Sequence, residues 1–80
     1  MTQQINMADI VVHLHQQTSG ADKDRVEQGL RALNGVISVH FNSVDHPLAV
    51  VVAYDPQAVS SQTLLAEIRT SDPQAMMAGL

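Results

Sequence analysis

The chain has 80 residues, enough for one domain near the lower size at which a single core holds without covalent staples. It has no cysteine, which excludes disulfides, thiolate nucleophiles and every sulfur-anion metal site. Eight acidic residues against four basic ones give a formal charge of −4 with no Lys/Arg cluster, so nucleic acid and anionic membrane are excluded as natural partners. The hydrophobic fraction is 45%, yet Phe41 and Tyr54 are the whole aromatic complement, so the core must be built from Val, Leu, Ile and Ala. We read residues 1–80 as a single domain with an ordered core over about 8–78.

Residues 1–7 are polar and without periodicity, which predicts a loose lead-in. No Lys or Arg precedes the first apolar run, and that run is too short for a signal h-region or a membrane span, so a cytoplasmic location is expected. From Ala8 to His15 the pattern alternates with period two, placing Ile10, Val12 and Leu14 on one face and Val11, His13 and His15 on the other. This predicts a strand with one apolar face.

The alternation breaks at HQQTSGADKDR, where Ser19 followed by Asp22 resembles a capping box with Asp in place of Glu. A helix over about residues 20–33 follows, with Asp22 and Asp24 in its first turn, Val26, Leu30 and Leu33 on its apolar stripe, and Asn34-Gly35 as a left-handed stop. Gly29 lies on that stripe and would let the backbone approach the sheet.

A second strand runs from Val36 to Phe41, with Ile37, Val39 and Phe41 on one face and Ser38 and His40 on the other. Residues 42–47 have turn composition, and Leu48 to Tyr54 is a nearly all-apolar third strand, expected in the middle of the sheet. Asp55-Pro56 ends it. Ser60 or Ser61 caps a second helix carrying Leu64, Leu65 and Ile68, which stops before Asp72-Pro73, and QAMMAGL supplies a short fourth strand. The order is βαββαβ: two helices on one face of a four-stranded antiparallel sheet, the ferredoxin-like sandwich of the α+β class, with the first and third strands in the middle. This reading also has that central pair running parallel.

RVEQGLRALNGVISVHFN followed by AVVVAYDP and SSQTLLAEI resembles the heavy-metal-associated domain, the copper-chaperone-like family, over roughly residues 8–75. In that family the first loop reads Gly-Met-Thr-Cys-x-x-Cys, and its two thiolates hold monovalent copper or a soft divalent ion. Counting back from Val26, the matching stretch is Gln16 to Asp22; Thr18 keeps the motif, and Ser19 and Asp22 stand where the cysteines would be. A hydroxyl and a carboxylate are hard ligands and do not replace thiolates for a soft ion. The same two residues also serve as helix cap and dipole partner.

The resemblance implies a small soluble metal-binding protein whose thiolate site is lost, with imidazoles as the remaining holders of an ion. His13 and His15 project from the same side of the first strand, Cβ atoms about 7 Å apart, near enough to chelate. His40 lies about 10 Å away across the third strand and is a weaker candidate; a third ligand would be water, Asp9 or a second subunit. Imidazole suits Zn, Ni and Cu(II). His46 reads as a turn residue, and Met7, Met76 and Met77 would meet if the fourth strand paired with the first.

A rival reading is a metal-free interaction or oligomerisation module that uses the sheet face away from the helices: Val11, His13, His15, His40, Ala49, Val51 and Ala53. A homo-oligomer or a protein partner would cover it, and its histidines would make association pH-sensitive. A small-ligand regulatory domain of the ACT kind ranks third, because QQTSGADK offers little apolar floor. No nucleophile-base motif or phosphate loop is present, so an enzyme is not expected.

Overall fold

The structure, a computed structural model, describes residues 7–15, 17–41 and 48–78. Residues 1–6 of the predicted lead-in, Gln16, the turn at 42–47 with His46, and the last two residues lie outside the described residues. Six elements follow in chain order: β1 (Ala8–His13), α1 (Gly20–Arg31), β2 (Val36–Phe41), β3 (Ala49–Tyr54), α2 (Ser61–Ser71) and β4 (Met76–Met77). They form one sheet in the order β2-β3-β1-β4, so β1 and β3 are central as expected.

All three pairings are antiparallel, the β1–β3 pair included, which corrects the expectation of a parallel central pair. The geometry requires it. A crossover helix returns β2 in the direction of β1, and reversal between β2 and β3 then sends β3 back against β1.

Each helix begins on a serine. Ser19 and Ser60 sit in extended backbone, and their hydroxyls accept from the amides of Asp22 and Thr63, both at 3.1 Å. The Ser19–Asp22 box is only half made, since the Asp22 carboxylate turns to Arg25 at 3.3 Å. Asp24 falls past the first turn, where Asp22 is the acid. The helix stops at Arg31, two residues short of the prediction, and the chain turns at Gly35 with φ +100°.

The core is aliphatic, as the composition required: Val12 and Leu14, Val50 and Val52, Leu30, and Leu64 and Ile68 are all buried, with Tyr54 closing one end. Two predicted positions differ. Val36 pairs with Tyr54 and Ser38 with Ala53, leaving Ile37 as the extra residue of a bulge, 51% exposed, while Val36 takes the core-facing place. Gly29 faces the second helix, not the sheet: a Cβ there would lie 2.5 Å from Glu67 Oε2.

Gly29 and Gly35 therefore answer differently to a methyl group. Gly35→Ala meets a left-handed φ and the Ala58 Cβ at 2.8 Å, so we expect a loss of about 1–3 kcal/mol in urea unfolding. Gly29→Ala displaces only the mobile end of Glu67 and gains helix propensity, so stability should rise by up to about 1 kcal/mol.

Candidate functional site

The loop that leaves β1 is fastened by one buried carboxylate. Asp72, the C-cap of α2, is 0% exposed and would be costly there alone, because burial and the negative end of a helix both oppose its charge. Its donors come chiefly from a residue 57 positions earlier in the chain. Oδ2 accepts from the His15 amide at 2.8 Å, and Oδ1 from His15 Nδ1 at 2.6 Å and the Gln74 amide at 3.2 Å. Thr18 Oγ1 donates to the His15 carbonyl at 2.8 Å, resting 3.2 Å from Nδ1 and 3.5 Å from Asp72 Oδ2.

Burial alone would push the Asp72 carboxyl up, but the His15 amide, the imidazole and the Gln74 amide outweigh it and hold it below the usual aspartate value. The carboxylate is thus ionised, and the His15 proton sits on Nδ1, pointing at it. In the neutral ring the lone pair is then on Nε2. The His15 side chain is 32% exposed and lines an open cleft of about 550 Å³ with Leu14, Gln17 and Gln74. One apolar side chain among those four is little floor for a small organic ligand.

The predicted site residues are spread. β1 ends at His13, so His15 lies past the strand, with its ring committed to Asp72 through one nitrogen. His13 is exposed on the open face, between Ala49 of β3 and Met76 of β4. His40 pairs with Val51, which pairs with Val11, so it is two strands and two residues from His13, about 12 Å. Asp9, four residues before His13 on the same strand, stands about 14 Å off and is too distant for one shell.

Met7 precedes the far end of β1 from the β4 pairing, and Met76 and Met77 pair with His13 and Val12, so the three methionines do not converge. Among the described residues, no group of three or more His, Asp or Glu side chains is placed to hold an ion. On the open face Val11, Val51 and Ala53 are half-buried, whereas Ala49 is buried at 3% exposure. No described helix is long and apolar enough to cross a membrane.

Ser19 and Asp22, at the family's cysteine positions, are occupied as helix cap and as partner of Arg25. Neither is a donor for a soft ion, and a thiolate-type copper site does not fit these residues. Asp72 was missed as a site residue, though it carried a signal. An acid at the end of a helix before proline is electrostatically misplaced and implies donors arriving from elsewhere.

No family model matches the sequence, and comparison with curated proteins finds no match. Solved structures do match. A copper-binding domain from HMA7, a P-type ATPase, is 23% identical with a TM-score of 0.72, covering 89% of this chain and 93% of that one. The yeast copper transporter domain Ccc2a is 22% identical with a TM-score of 0.71, covering 89% and 94%. Oxidised MerP from Ralstonia metallidurans CH34 is 19% identical with a TM-score of 0.70, covering 91% and 96%. The chain has the heavy-metal-associated, copper-chaperone-like fold.

Removing the Asp72 side chain strands the His15 amide and imidazole, so Asp72→Ala should cost about 3 kcal/mol, out of about 4–12 kcal/mol for a domain of this size. The pH dependence has a definite sign. Because the folded-state value is depressed, this stabilisation is complete above the unfolded aspartate value of about 4 and is lost as the pH falls through the lower folded value. Acid titration of the wild type followed by circular dichroism should show this component, and Asp72→Asn should lack it.

Proposed function

We propose that this chain is a small metal-binding protein of the heavy-metal-associated type that takes a divalent ion of borderline hardness, Zn, Ni or Cu(II), on imidazole in place of thiolate. His15 is the principal donor through Nε2, in the cleft it lines with Leu14, Gln17 and Gln74. Water completes the shell. The reading is of a carrier and not an enzyme, in a cytoplasmic setting.

The observation that carries it is the 2.6 Å contact between His15 Nδ1 and the Asp72 carboxylate. A carboxylate behind an imidazole fixes its tautomer, orients the ring and raises the basicity of the opposite nitrogen, as is usual for metal-bound histidine. Here the pair also sits at the end of β1, the place where the resemblance puts the metal loop. The fold shared with copper-binding domains supports the reading as well.

A second reading rests on the open face, where Val11, Val51 and Ala53 form a half-buried apolar patch between His13 and His40. There the chain would be a metal-free module that self-associates or docks on a protein. Sedimentation with chelator present should then show concentration-dependent mass, and a monomer throughout would count against self-association.

For the metal reading, chelator-stripped protein is titrated with Zn(II), Ni(II) and Cu(II). His15→Asn keeps an N–H for Asp72 and loses the ligand nitrogen, so it should fold and bind about tenfold or more weakly. Asp72→Asn should weaken binding about 10–100-fold, and Ser19→Ala should leave it unchanged while costing about 1 kcal/mol of stability. Equal affinities for wild type and His15→Asn would remove the proposal.

A further inference from the structure

We propose that His13 and Met76 form a separate site for a soft monovalent cation, copper(I), on the open face of the sheet at its β1–β4 edge. The register places them directly opposite one another. Residues so paired have Cβ atoms about 4.5–5.5 Å apart and side chains on one face, close enough for an imidazole nitrogen and a thioether sulfur to flank one ion. On the other side of His13 the register places Ala49.

Met76 is 66% exposed, the most exposed large apolar side chain among the described residues. It occupies the open face, whereas Met77 beside it takes the opposite one, paired with Val12 of the core. A methionine turned to water contributes little to packing, and a thioether is among the few uncharged side chains that ligate metal. Its softness decides the ion: thioether sulfur selects copper(I) over Zn or Ni, and imidazole accepts copper in either state. The ring has two nitrogens, so one can take the ion while the other keeps a hydrogen bond. The net charge of −4 favours a cation at the surface.

This site uses neither His15 nor Asp72. It supplies the soft chemistry that the β1–α1 loop does not, through a sulfur at the far end of the sequence.

The test is competition for copper(I) between the stripped full-length protein and a colorimetric copper(I) chelator under anaerobic reducing conditions. The wild type should withdraw copper(I) from the chelator. Met76→Leu, which preserves volume, and His13→Gln should each lose about tenfold or more in affinity, while Met77→Leu retains it. X-ray absorption of the loaded wild type should show one sulfur neighbour, absent in Met76→Leu. No competition by the wild type, or equal competition by Met76→Leu, would overturn the site. The divalent reading fails independently, through His15→Asn in the zinc titration.

Discussion

A carboxylate buried at the end of a helix that repels it governs the end of the fold where the exit of β1 meets α2. Asp72 is fully buried at the C-cap of α2, and its negative charge is tolerable because β1 delivers an amide and an imidazole from His15 to its two oxygens. The strand's last residues, the loop before α1 and the turn into β4 are thereby joined at one point. Replacing this hydrogen-bonded pair by an apolar contact of equal shape need not weaken the domain, but would release the ring. What the charge provides is therefore orientation: it fixes which imidazole nitrogen carries the proton and which faces the cleft.

The rest of the scaffold is economical. With two aromatics, the core relies on β-branched and leucine side chains stacked between the helices and the central strands, and every such contact is small. The β2 edge is guarded by two devices. Arg31 reaches from α1 to donate to the Val39 carbonyl at 3.1 Å while pairing with Glu27 at 2.9 Å, and the bulge at Ile37 disturbs the ladder where another strand would add. Lys23 lies 5.7 Å over the Phe41 ring. Each of the four basic side chains has such a use, Arg25 with Asp22 and Arg69 with the Ala75 carbonyl at 2.9 Å.

Sequence periodicity carried most of the fold because side-chain alternation and capping are local. Ile10, Val12 and Leu14, the serine caps, and the left-handed Gly35 were each readable within a few residues of themselves. The errors came where a non-local partner decides. Ile37 belonged by alternation to the core face, and only the pairing with β3 reveals the inserted residue. Gly29 was assigned to the sheet because a single helix cannot show that Glu67 of α2 is its neighbour. His15 followed the parity of β1 on paper, yet its ring answers to a carboxylate 57 positions later, and no window of sequence contains both.

That separation also explains how the loop changes its chemistry without changing the fold. Ser19 and Asp22 occupy the positions where the resemblance places sulfur, and each does work that a helix start demands: one accepts an amide, the other supplies charge to the first turn. Their donor strength is spent locally, on bonds of 3.1 and 3.3 Å, so the hard oxygens hold the helix and not an ion. In the metal readings proposed above, the ligands are then groups oriented by something other than the helix start. The fold offers two such orienting contacts, the Asp72 carboxylate behind His15 and the β4 register beside His13, and they differ in softness because one presents nitrogen alone and the other nitrogen with sulfur. Under the two proposals above, borderline and soft ions would meet different histidines.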